Sequence, residues 1–222
     1  MSNISVEYID HMGDDLRVVN AARVSFRKQR TEFDDSLEKG SDRNLIRYLA
    51  EHDHFTPFTH PQITMFYSVP IFVARQEFKH VVGFTRNEVS RRYVDDTPEF
   101  FVPDSWRSRP DKSIKQGSGD DLNPLSEFIA QEVYDECSEY AIKSYNQLLS
   151  LGAAPEQARM VLPQSMMTSY FITGSLYAYA RMVKSRTNPH VQAETTELAE
   201  KVAAIIKPLF PVSWEYLVEL RK

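Results

Sequence analysis

Gln62-Ile-Thr-Met-Phe-Tyr-Ser-Val-Pro-Ile-Phe-Val-Ala-Arg-Gln-Glu-Phe-Lys-His80 is the stretch that decides the architecture. From Gln62 to Val69 apolar and polar residues alternate, with Ile63, Met65, Tyr67 and Val69 on one side. A period of two marks a strand with one buried face. Pro70 ends that pattern. Its fixed φ and missing N–H suit the first turn of a helix, so a helix is expected over 71–80. A chain that passes from strand to helix without a linker belongs to a mixed class.

Working outward toward the N-terminus, residues 52–60 form a loop with prolines at 57 and 61. Before it, Leu45, Ile46, Tyr48 and Leu49 mark a helix, with Ser41 or Asp42 as its cap, because a short side-chain oxygen accepts a free first-turn N–H. Residues 27–40 read as a polar connection, 14–26 as a helix, and 3–8 as a short alternating strand. Toward the C-terminus, 81–93 reads as a loop and 94–103 as extended. The polar segment 107–121 reads as a mobile loop. Asn123-Pro124 opens a helix to about Leu151, with Leu125, Ile129, Val133, Cys137, Ala141, Tyr145 and Leu148 at helical spacing. Cys137 on that stripe is expected to be a buried thiol rather than a nucleophile. A short helix from Ala154 to about Leu162, a helix over 165–186 rich in aromatics and methionine, a helix from Pro189 to Leu209 and a last one over 213–221 complete the chain. The expected fold class is α+β, one domain over 1–222, with its strands gathered in the first half.

The chain has 222 residues, 42% hydrophobic and 12% aromatic, enough for a sizeable core. No apolar run approaches the roughly 20 residues that span a bilayer, and the start Met-Ser-Asn-Ile-Ser-Val-Glu lacks the basic and apolar regions of a signal peptide. The single cysteine excludes an internal disulfide and a cysteine-built zinc cage within one chain. A cytoplasmic protein is expected.

Against a net charge of −5, residues 75–93 hold five basic side chains, Arg75, Lys79, Arg86, Arg91 and Arg92, and two acidic ones, Glu77 and Glu88. Guanidinium groups bind phosphate as a bidentate fork, so an anionic ligand would account for the island. On charge alone, internal ion pairs or a solvated loop are the favoured account. Ser90 beside Arg91 and Arg92 suits a phosphate monoester and has no hydrolase elbow around it. No P-loop and no dinucleotide glycine motif occurs, so side chains must hold any phosphate. His52, His54 and His60 match no strong metal-ligand spacing, and no metal is expected. Arg159 and Arg186, each near a helix end, read individually as surface or dipole partners.

Taken together, His54-Phe-Thr-Pro-Phe-Thr-His60, Pro70-Ile-Phe-Val-Ala-Arg-Gln76, Lys79-His80, Asn87-Glu-Val-Ser-Arg-Arg-Tyr93, Ala158-Arg-Met-Val-Leu-Pro163 and Arg186-Thr-Asn-Pro-His-Val-Gln-Ala-Glu194 resemble the flavin-dependent thymidylate synthases, in order and spacing, from about residue 15 to 217. The family signature is Arg-His-Arg, seven residues, then Ser. Here Lys79-His80-Val81 is followed by eight residues before Ser90, with Arg86 inside the altered segment as a candidate substitute. The resemblance implies a central, mostly antiparallel sheet with flanking helices and a homotetramer with sites shared between subunits. It also implies reductive methylation of dUMP with methylenetetrahydrofolate as carbon donor and NADPH as reductant through FAD. By matching position, Gln76, Lys79, Glu88, Val89, Ser90, Arg91, Arg92, Arg159 and Arg186 would hold dUMP, with Arg186 facing the uracil ring as the catalytic cation. His54, Thr56, Lys79, His80, Val81, Glu88, Ser175, Tyr177 and Arg181 would contact FAD. Two alternatives stand beside this: a nucleic-acid-binding module using the basic stretch, and a catalytically altered family member.

Overall fold

The computed structural model describes residues 4–94, 96–111, 117–188 and 190–220. Four strands, β1 (Ser5–Met12), β2 (Gln62–Pro70), β3 (Phe84–Glu88) and β4 (Met167–Ser175), form one sheet in the order β1-β2-β4-β3. All three pairings are antiparallel. The helices are α1 (Asp15–Arg23), α2 (Asp42–Glu51), α3 (Ile71–Glu77), α4 (Pro124–Ser150), α5 (Pro155–Ala158), α6 (Leu176–Arg186), α7 (Ala193–Leu209) and α8 (Pro211–Trp214), the last running into a π-helical turn, Glu215–Glu219. The α+β class therefore holds. None of the described helices is long and apolar enough to cross a membrane.

The inner face of the sheet is built by the alternation that opened the sequence. Ile63, Met65, Tyr67 and Val69 of β2 are all 0% exposed, each contributing about 1.5–3 kcal/mol through burial. Opposite them β4 contributes Thr168, Tyr170 and Ile172, also buried. Residues of α3, α6 and α7 belong to the same core. The α2 cap is Ser41, whose side chain accepts from the Asn44 N–H at 3.3 Å. Asp42 instead sits fully buried between Arg23, at 2.8 Å, and Arg30, at 3.2 Å.

Several expectations are corrected. The helix expected over 165–186 is β4 followed by α6. Methionine and aromatics suit a buried strand as well as a helix, and the period of two in Thr168, Tyr170, Ile172 and Gly174 is the pattern that decides. A Cβ on Gly174 would stand 2.3 Å from the Phe84 ring, so the cross-strand pair Phe84↔Gly174 exists because the glycine leaves room for the ring. The loop expected over 81–93 contains β3. Phe84 and Arg86 are its half-buried residues and Glu88 at its end is exposed, so charges conceal the alternation. One of the two central strands thus comes from the second half, not the first. The helix over 71–80 ends at Glu77. Residues 94–103 carry one bridge, Phe100↔Met166. Of the segment 107–121, residues 112–116 lie outside the described residues, as does Pro189. The rest of that segment is anchored, with Arg107 paired to Asp121 in an isolated bridge and ion-paired to Glu194.

The α4 stripe is the largest departure. Ala141 and Tyr145 are its buried members, whereas Leu125, Ile129 and Val133 are 70%, 52% and 56% exposed. Cys137 is an exposed thiol, not a buried one. Helical spacing gives the stripe's direction but not what covers it, and among the described residues little does.

Candidate functional site

The C-terminal end of α3 and the turn after it bring four site residues to α6. Glu77 is 1% exposed. Arg86 reaches it from β3 as a two-pronged pair, Nε donating to Oε2 at 2.8 Å and Nη2 to Oε1 at 2.6 Å. Nη2 also donates to the His80 carbonyl at 2.6 Å. The Tyr170 hydroxyl donates to the same carboxylate at 3.3 Å, and the Phe78 and Phe84 rings lie 5.4 and 4.9 Å from the guanidinium carbon. Burial raises the Glu77 carboxyl above its usual range, opposed by Arg86. Arg86 is therefore engaged inside the protein. The expectation of a substitute ligand arginine is corrected: its polar fork is already occupied.

Arg186 closes this junction from the last turn of α6. Its Nε donates to His80 Nε2 at 3.0 Å and its Nη2 to the Gln76 carbonyl at 2.8 Å. A guanidinium only donates, so His80 Nε2 accepts and the imidazole is neutral, with its proton on Nδ1. Burial, then the charges of Arg186, Arg86 and Arg181, lower its pKa to about 4. The Gln76 side chain donates to Gln192 Oε1.

A ridge runs from this junction along one face of α6. Tyr177, Arg181 and Ser185 recur every four residues and so share a helical face. Ser185 Oγ lies 3.4 Å from His80 Nε2. The Arg181 guanidinium is 6.0 Å from the Tyr177 ring centre, and Tyr177 stacks on Phe55 at 5.3 Å. His54 and Thr56, exposed, flank Phe55. At the head of α6 Ser175 is buried and accepts from the Ala178 N–H at 3.2 Å, which gives it a capping role. Gly83, at φ +86°, passes so close that a Cβ would stand 2.9 Å from Ala178 Cβ. That approach leaves Val81 and Val82 69% and 77% exposed beside the ridge. Among the described residues no group of three or more His, Cys, Asp or Glu could hold a metal ion.

The outer face of the sheet carries a groove of about 970 Å³, lined by Phe66, Phe171, Asn87, Glu88, Val89, Arg91 and Arg159 among others. The Glu88 carboxylate accepts from the Thr168 hydroxyl at 2.7 Å. The Val89 N–H is donated to the Ser169 carbonyl at 2.9 Å. Arg91 is ion-paired to Asp96 at 2.6 Å. Arg92 lies over Tyr93 and has Nε 3.4 Å from Ser90 Oγ. Among the described residues Lys79, Arg92, Arg159, Arg181 and Arg186 have no carboxylate within ion-pairing distance. A set of cations lacking carboxylate partners, beside a stacked ring pair, suits a ligand that joins phosphates to flat rings.

The site residues named from the sequence thus fall into three groups: Gln76, His80 and Arg186 at the junction; His54, Thr56, Ser175, Tyr177 and Arg181 along the ridge; Glu88, Val89, Arg91 and Arg159 at the groove. Lys79 and Val81 lie on the turn between α3 and β3, and Ser90 and Arg92 on the turn after β3. The sequence reading missed Glu77 as a structural hub. It entered only as one of two acidic charges, although an acidic residue in a basic island is itself a sign of an internal pair. Asp96 and Thr168 were missed because turn geometry brings Asp96 to Arg91 and strand pairing brings Thr168 to Glu88, and neither contact is part of a motif.

The model of the family described as thymidylate synthase complementing protein matches residues 7–212. A flavin-dependent thymidylate synthase from Thermosipho africanus is 37% identical over 207 residues, covering 93% of this chain and 87% of the relative. One from Kosmotoga olearia is 38% identical over 214 residues, covering 95% and 88%. Among solved structures, the UMP/dUMP methylase PolB from Streptomyces cacaoi, bound with 5-Br dUMP, superposes with a TM-score of 0.82 at 32% identity, covering 97% of this chain and 95% of that one.

Proposed function

The chain belongs to the thymidylate synthase complementing protein family, whose relatives here are flavin-dependent thymidylate synthases, and on that premise we propose that it converts dUMP to dTMP. Methylenetetrahydrofolate gives the one-carbon unit and NADPH the reducing equivalents, and the C5 proton of uracil is lost as the methyl group is installed. The observation that carries this reading is the set of cations without carboxylate partners around the junction, ridge and groove.

FAD fits the residues present. Lys79 and Arg181 offer positive charge to a diphosphate, and the stacked Phe55–Tyr177 pair with exposed Val81 and Val82 offers apolar surface to a ring system. When bound, FAD carries the two electrons from NADPH to the nucleotide. His54, Thr56, Lys79, His80, Val81, Tyr177 and Arg181 would hold it, with Ser175 and Glu88 acting through the backbone they fix. Gln76, Lys79, Ser90, Arg92 and Arg159 would hold dUMP, and Glu88, Val89 and Arg91 would shape its pocket. Arg186 uses Nε and Nη2 on protein acceptors, so Nη1 remains to face the uracil. A fixed cation there stabilises negative charge at N3 and the neighbouring carbonyl, which makes C5 nucleophilic. No cysteine nucleophile is used, and Cys137 on α4 has no part in this reading.

The working form is a homotetramer in the cytoplasm, each chain one domain over 1–222 whose core runs from Ile4 to Leu217. Exposed Leu125, Phe128, Ile129 and Val133 on α4 support self-association, since isolated apolar faces of this extent are otherwise a liability. The nucleic-acid reading loses two of the five basic side chains it relied on, because Arg86 and Arg91 are ion-paired internally. Purified protein should show a flavin spectrum bleached by NADPH, and release tritium from 5-tritiated dUMP only when NADPH and the folate are both present. A bleaching flavin without tritium release would instead mark a catalytically altered member.

A further inference from the structure

The buried ion pair Glu77–Arg86 has no place in the chemistry above, and stability alone does not explain it. A buried pair costs desolvation that apolar side chains of similar volume avoid. What an apolar pair could not supply is the third bond, from Arg86 Nη2 to the His80 carbonyl at 2.6 Å. That bond ties the turn leaving α3 to strand β3. The other end of the turn is tied at Gly83, whose carbonyl accepts from the Ser175 N–H at 3.1 Å. Between these two ties the His80 ring is delivered to Arg186.

We propose that the Glu77–Arg86 pair is a positioning device: it fixes His80, and through the His80 ring and the Gln76 carbonyl it sets the direction in which Arg186 presents its remaining N–H groups. Glu77 aims the guanidinium, and the guanidinium holds the backbone of the turn. The pair also stands where this chain departs from the family signature. Val81 replaces an arginine and one residue is added before Ser90, and Arg86, from within that altered segment, returns a guanidinium to the turn from the strand side. It returns as a residue acting through others, since its donors face Glu77 and His80.

The electrostatics agree. His80 is faced by Arg181, Ser185 and Arg186 from α6, by Arg86 from β3 and by the Glu77 end of α3. A protonated imidazole could not accept from Arg186, and the surrounding guanidinium groups keep it neutral. Arg86 thus acts on His80 twice, by position and by charge.

The inference rests on the reading of Arg186 as the uracil-facing cation. Two variants test it. Glu77→Gln with Arg86→Met removes the pair without leaving an orphaned charge, so the protein is expected to fold and melt near the wild-type temperature. In it, kcat should fall by about 10²-fold, the size of effect expected when a catalytic group is misplaced by about 1 Å, while KM for dUMP changes little. The His80 ring, followed by NMR with labelled histidine in the FAD-free chain, should titrate higher than in the wild type, because one of the guanidinium charges that lower it is gone. Arg86→Lys keeps the charge but cannot reach both Glu77 and the His80 carbonyl. There kcat should fall while His80 still titrates low. Wild-type kcat in both variants, or an unmoved His80 titration in the double variant, would overturn the proposal. If the double variant does not fold, wild-type kcat in Arg86→Lys overturns it alone. A wild-type enzyme without dUMP methylation would remove the functional reading, and the two titrations would still decide whether the pair controls His80.

Discussion

Arg86 and Arg159 carry the same charge and lie on opposite faces of one sheet, in unlike surroundings. Arg86, on the inner face, has its fork filled by a carboxylate and a carbonyl and two aromatic rings against it. Arg159, beside the outer groove, is exposed, and its Nε donates to the Glu156 carbonyl at 3.2 Å. The inner face is completed by its own chain; the outer face is completed by whatever binds there. An arginine with an internal carboxylate is part of the scaffold, and one without it is available to a phosphate.

Removing a partner on the inner face should give the largest effect. Glu77→Ala strands a buried guanidinium and should destabilise the fold by about 3–5 kcal/mol, read as a lowered urea midpoint. If stability were unchanged, the pair would not be the sealed unit the geometry describes. Arg186→Ala stands between the two classes. It should lower dTMP formation by about 10²–10³-fold, the scale of losing one electrostatic stabiliser of developing charge, while the melting temperature and bound flavin change little. Arg159→Ala should act on binding alone. Losing a charge-assisted contact worth about 1.5–3 kcal/mol would raise KM for dUMP about 10- to 100-fold, with kcat and the urea midpoint near wild type. A fall in stability there would erase the contrast with Arg86.

The same contrast explains what the sequence made legible. The inner-face strand β2 was readable because Ile63 to Val69 alternates cleanly and one face is wholly buried. Strand β3 was not, because Arg86 occupies an inward position that the pattern expects to be apolar and Glu88 at the strand end is exposed. Strand β4 was mistaken for a helix because Met-Thr-Ser-Tyr-Phe-Ile-Thr-Gly-Ser suits a buried element of either kind. The positions of Gln76, Glu88, Arg159 and Arg186 could be taken from motifs. Their partners could not. Glu77, Asp96 and Thr168 meet theirs through register and turn geometry, which spacing in one dimension does not carry. On α4 the stripe was correct in period, yet Leu125, Ile129, Val133 and Cys137 are left exposed by the described residues of the chain. Ile129→Asp should therefore shift the protein toward smaller species in sedimentation, with the monomer's circular dichroism retained, because the substitution lies on an exposed face of α4.

A pH-dependent effect lies at the boundary between the two faces, where His80 meets Arg186. The unfolded chain takes up a proton on this residue near its ordinary value of 6.5, whereas the folded chain resists until about 4. Between those values the unfolded state binds more protons, so stability falls as pH drops through the window and is level above it. Glu77 also titrates at the acid side, and its raised carboxyl works in the opposite direction, so a wild-type curve alone mixes the two. His80→Gln keeps a side chain that can accept from Arg186 and removes the imidazole titration. The difference in melting temperature between wild type and His80→Gln should therefore shift against the wild type as pH falls from 6.5 toward 4. A difference that stays constant across that window would mean His80 is not held neutral by its arginine neighbours. The junction would then be as open to solvent as the groove.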